Sequence, residues 1–132
     1  MSAQAASDTA RLETFADGVF AIAITLLILE IRLPASEPHR ETGLLSILAS
    51  LWPSYLGYAA SFIITGIIWM NHHNFLKLID HTDHNFIVLN LLLLLCVAFI
   101  PFPTRVLAEH LTSANDKVAA TAFYGASVTV TG

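Results

Sequence analysis

Arg11 and Asp17 stand at the entrance of an otherwise apolar helical segment, whose core from Gly18 to Leu29 carries no charge. An ionised side chain near a membrane interior is costly, so each must be held by a partner on another helix or sit on an aqueous path. Either case calls for a chain that crosses the membrane several times. Composition agrees: 55% of the 132 residues are hydrophobic and 12% are charged, against about 25% charged in a soluble domain. The apolar residues fall into four blocks separated by polar segments, the pattern of an all-α polytopic membrane protein. One membrane domain over 1–132 is the expectation.

The first span is expected over 10–33, stopped by Pro34 and followed by a polar loop from Ser36 to Glu41. Its charge-free core of 12 residues is short for about 30 Å of hydrocarbon, so it must pack inside a bundle or continue through its charged first turns. The second span is expected over 44–70. Trp52 and Trp69 then lie about 26 Å apart along the axis, the spacing of two interfacial belts. Gly57, Ser61 and Thr65 repeat every fourth position, a small-residue stripe that suits close helix packing. The third span, 85–104, holds Asn90 inside an apolar run, where it needs a partner on another helix, and ends at Pro101-Phe-Pro103. The fourth, 117–132, is still apolar at Gly132 after 15 uncharged residues, which leads to the expectation that this span is cut and that further helices follow.

Several function classes lose support here. The single Cys96 precludes an intrachain disulfide. A net charge of -4 with six dispersed Lys and Arg gives no basic patch for nucleic acid. The apolar stretch before Pro34 lacks the basic flank of a secretory signal, so it is read as a mature helix. His72, His73, His81 and His84, with Asp80 and Asp83, match no compact metal motif, and no metal or other cofactor is expected; capping, interhelical bonds or pH sensing suit them better. No serine stands at a recognisable spacing from a histidine and an acid, so an enzyme is not expected.

At 100° per residue, Phe15, Gly18, Ile22, Leu26 and Leu29 fall within an arc of about 80°, with Thr25 at its margin. Glu13, Asp17, Ile24 and Ile28 lie opposite. Arg11 and Asp17 are about 240° apart around the axis and cannot pair on the helix, so each should bond to a different helix. The aliphatic arc suits simple bundle packing. It also suits a pore, if identical subunits around an axis each contribute one helix and stack rings of isoleucine and leucine that gate by narrowing and dewetting.

Arg11-x-x-x-Phe15-Ala16-Asp17 resembles the R-x-x-x-F-S-D signature opening the first helix of the transmembrane protein 175 family of potassium channels, with Ala16 in place of serine. Ile22, Leu26 and Leu29 fall where that family has its pore-lining aliphatic residues, and Trp69-x-Asn71-His72-His73-x-Phe75 resembles its tryptophan and paired-histidine segment. The resemblance implies a single-repeat, six-helix subunit that assembles as a homotetramer in a bacterial plasma membrane, with a cytoplasmic N-terminus. A positive-inside count points the other way, with Arg11 and Lys77 on one side against Arg32, Arg40, Arg105 and Lys117 on the other.

By resemblance, Arg11, Phe15 and Asp17 anchor the first helix to the second and third through Trp69, His73 or Asn90, and Ile22 is the main constriction, extended by Leu26 and Leu29. No T-V-G-Y-G filter occurs, and Thr25 is the candidate for ion preference. The expectation is a passive potassium channel whose partners are K+, the lipid bilayer and copies of itself. A proton-permeable or proton-coupled transporter is the alternative from a different class, and a non-conducting scaffold is a third.

Overall fold

The computed structural model describes residues 3–33, 43–79 and 83–132, with side chains from residue 9 onward. Among them the structure is helical throughout: α1 (Ala3–Leu26) runs into a 3-10 turn (Leu27–Glu30), then α2 (Leu44–Ser50), α3 (Trp52–Leu76), α4 (His84–Phe99), α5 (Pro101–His110) and α6 (Lys117–Thr131). Three stretches are long and apolar enough to cross a membrane: Thr9–Glu30, Trp52–Leu76 and His84–His110. The polar loop after Pro34, and Asp80 and His81, lie outside the described residues.

α1 begins before the expected position 10 because its first turns, rich in alanine, favour helix without being apolar. It ends by tightening into the 3-10 turn, a common helix terminus, and Ile31 at its end is extended.

Prolines shape the next two spans differently. The span expected over 44–70 divides at Leu51, because Pro53 has no N–H to give the carbonyl of Ala49 and fits only in the first turn of a new helix. α3 then continues past Met70 to Leu76, since the polar Asn71–Asn74 turn directs His72 inward to a partner. The span expected to stop at Thr104 is instead interrupted only at Ile100 and continues as α5 to His110. Pro101 takes the first helical position, where its missing donor costs nothing, and Thr104 N–H reaches the Ile100 carbonyl at 3.1 Å to resume the ladder. Asp83 caps α4 by accepting from the Phe86 N–H at 2.8 Å.

The core lies where α1 meets α3 and α4. Ala16, Phe20, Ala23 and Leu27 recur at helical spacing on one face of α1 and pack with Ile68, Leu94, Val97 and Ile100. The small-residue stripe of α3 faces α5: a Cβ at Gly57 would lie 3.6 Å from the Thr104 carbonyl oxygen and 3.7 Å from Ala108 Cβ. Hydroxyls fill the rest of that seam. Thr104 donates to the Ile100 carbonyl at 2.8 Å, so its oxygen accepts from Ser61 at 2.7 Å, and Ser61 in turn accepts from Tyr124 of α6 at 2.9 Å. Every member of this chain has a partner, whereas the buried Thr65 hydroxyl, one turn further along the stripe, has none among the described residues.

Candidate functional site

Two features of α1 carry the functional argument: a polar network near its start and an exposed aliphatic arc beyond. The network forms because α1 and α3 run antiparallel, which sets Glu13 and Asp17, one turn apart, beside Trp69 and His73, also one turn apart. Trp69 Nε1 donates to Asp17 Oδ1 at 2.7 Å, a charge-assisted bond. Trp69 is thereby turned inward onto α1 rather than outward as an interfacial indole, because its N–H has an acceptor there. His73 stacks on Trp69 with ring centroids 5.4 Å apart and an interplanar angle of 20°. Its Nδ1 lies 3.0 Å from Glu13 Oε1, close enough for an ion pair but off the alignment of a hydrogen bond.

A second pair joins α3 to α4. The buried His72 holds Asn90 Oδ1 at 2.7 Å through Nε2, which must carry the proton because the amide oxygen only accepts. Phe20 of α1 packs on the same imidazole at 5.5 Å. His72 Nδ1 and Asn90 Nδ2 have no hydrogen-bond partner.

Asp17, Trp69, His73 and Asn90 all lie at helix contacts, with Trp69, one of the three partners named for the first helix, bonded to Asp17. Glu13, not Arg11, meets His73, and His72 meets Asn90. Sequence reasoning assigned Glu13 no partner and named interhelical bonding for His72 only as one of several roles, although Glu13 shares the helix side of Asp17 and that spacing was the available signal. Arg11 and Phe15, expected as anchors to the second and third helices, join neither pair. Both are exposed within the single chain and line an open groove with Ala10 and Thr14. The reason is angular: Arg11 lies one turn before Phe15, on the side of α1 facing away from α3 and α4.

The same outward side carries Ile22, Thr25, Leu26 and Leu29, all exposed. Ile22 is 61% exposed, whereas Phe20 and Leu27 on the inner face are 1% exposed. α1 therefore buries its bulk on one side and presents an aliphatic strip on the other. The Thr25 hydroxyl donates to the Ile22 carbonyl at 2.9 Å.

Comparisons with known proteins bear on the family and the fold. The family described as "Endosomal/lysosomal potassium channel TMEM175" matches residues 11–101. A potassium channel of Chamaesiphon minutus is 50% identical over 90% of this chain and 59% of its own length. One from Streptomyces collinus is 44% identical over 89% of this chain and 56% of its own length. The endosomal/lysosomal proton channel TMEM175 of Gallus gallus is 32% identical over 83% of this chain and 23% of its own. The chain thus spans a little over half the length of these two bacterial relatives. A crystal structure described as a lysosomal potassium-selective channel TMEM175 homolog from Chamaesiphon minutus superposes with a TM-score of 0.88 at 45% identity, covering 95% of this chain and 68% of that one. With well over half of its residues inside the family match, the chain belongs to the TMEM175 family of ion channels, which is not an enzyme family.

Proposed function

We propose that this chain is part of a subunit of a potassium channel, in which four copies surround an axis and α1 from each lines the conduction path. The carrying observation is the division of α1: one face is packed into the subunit, while Ile22, Leu26 and Leu29 remain exposed on the other. Lipid would accept such a strip equally well, and it is the relatives named potassium channels that support the axis as its environment. Around an axis, Ile22 would form the narrowest ring, with Leu26 and Leu29 extending an apolar neck that passes ions only when wide enough to stay wet.

Thr25 supports cation preference through its hydrogen bond. Because its proton goes to the Ile22 carbonyl, both lone pairs of its exposed oxygen are left to ligate a partly dehydrated cation. Conduction would be passive, in a bacterial plasma membrane with the N-terminus cytoplasmic.

The test is potassium flux in liposomes reconstituted with the full-length protein. Gradient-driven K+ flux that exceeds Na+ flux is expected, with Ile22→Asn raising conductance and reducing K+ preference by hydrating the neck. Unchanged flux in that variant would remove Ile22 from the pore. A second reading is proton permeation, favoured by animal relatives named proton channels. Flux that follows a pH gradient in the same liposomes would support it, and no flux from the assembled oligomer would leave a scaffold.

A further inference from the structure

Glu13, Asp17 and His73 each direct one ligand atom into a common space, all three within 4.8 Å of one another. We propose that these residues bind a divalent transition-metal ion, with Zn2+ the ion their chemistry suits, bridging α1 to α3. Three observations support the assignment.

The donor set is right. Two carboxylates and one imidazole are each zinc ligands, three of them leave a fourth corner open for water, and the imidazole favours transition-metal ions over Mg2+ or Ca2+. The geometry is close. Zinc bonds of about 2.0–2.2 Å in a tetrahedron place donor atoms about 3.3–3.5 Å apart; His73 and Glu13 already stand 3.0 Å apart. Glu13 and Asp17 are one helical turn apart on α1, the spacing by which two ligands share a face of a helix.

The charge is uncompensated. No lysine or arginine forms an ion pair with either carboxylate among the described residues, and the Trp69 N–H at Asp17 is a neutral donor. His73 Nδ1 is itself buried without an aligned hydrogen bond, so in the neutral tautomer that protonates Nε2 it offers its lone pair to a metal in place of the Glu13 ion pair. Side chains of His73 and Glu13 are 27% and 30% exposed, which leaves an entry path for ion and water. The sequence hid this site because the donors come from two helices, with no compact motif on either.

The inference does not depend on conduction, since its readout is binding. The experiment titrates Zn2+ into tag-free, chelator-treated full-length protein by calorimetry, with Co2+ as a spectroscopic probe. One ion per chain is expected, with a Co2+ absorption band and quenching of Trp69 emission, because Trp69 stacks on His73. Outer-shell changes at zinc sites cost about 10–100-fold in affinity. Removal of a ligand in Glu13→Gln or His73→Gln should therefore weaken binding by at least about tenfold, and Glu13→Asp should restore part of it. Asp17 is left intact because it also holds Trp69. Absence of saturable Zn2+ binding by the wild type overturns the proposal. So does binding that Glu13→Gln and His73→Gln, each eluting as the wild-type oligomer, leave unchanged.

Discussion

At the scale of single residues, the sequence revealed that Asp17 needed a partner but not which one. Burial cost stated the need, whereas the choice among Trp69, His73 and Asn90 depended on helix rotation, which a one-dimensional pattern leaves free. The bond from Trp69 to Asp17 is the most direct link between α1 and α3. We predict that Trp69→Phe, which keeps an aromatic ring against His73 but removes the N–H, destabilises the protein by about 1–3 kcal/mol through the carboxylate left without its donor. Thermal unfolding in detergent measures this. An unchanged midpoint would mean that Asp17 finds water or another donor instead. The substitution of Ala16 for the family's serine is easier to account for: Ala16 is fully buried in the apolar core, where a methyl group requires no hydrogen-bond partner.

At the scale of elements, the apolar blocks located the spans but not their breaks and continuations. Hydropathy locates where a chain can cross hydrocarbon, whereas a helix persists wherever its backbone bonds can be satisfied. Asn71 to Asn74 therefore extend α3 rather than end it. The same distinction explains Pro101: in the first turn of α5 a proline interrupts the hydrogen-bond ladder and does not end the span. The stripe at Gly57, Ser61 and Thr65 was legible as a packing face because small residues at fourfold spacing have few other uses, and its partner is α5. A methyl at Gly57 meets its neighbours at ordinary van der Waals distance. Gly57→Ala should thus be neutral or stabilising by up to about 1 kcal/mol through helix propensity. Gly57→Leu should overpack the α3–α5 seam and cost about 1–3 kcal/mol. Paired unfolding midpoints of the two variants test the seam, and a tolerated leucine would show that α5 can move away.

At the scale of the whole molecule, one chain leaves a large apolar surface, and exposure alone does not say which part faces lipid and which faces another copy. Ile22 on α1 and Ile63 on α3 are both 61% exposed, yet only Ile22 lies on the strip assigned to the axis. Periodicity made that strip visible in the sequence, but a single helix cannot reveal whether other copies surround it. Proximity between copies separates the two environments. Around a fourfold axis, equivalent side chains at a constriction approach one another closely, and a disulfide needs Cα atoms about 4.4–6.8 Å apart. In full-length protein with Cys96 replaced by alanine, Ile22→Cys should cross-link into dimers on mild oxidation in the membrane, whereas Ile63→Cys should remain monomeric on a non-reducing gel. Efficient cross-linking at Ile63 with none at Ile22 would place α3 between the copies and turn the aliphatic strip of α1 towards lipid. The equal exposure of the two positions makes the comparison informative, because reagent access is matched and only the distance to the next copy differs.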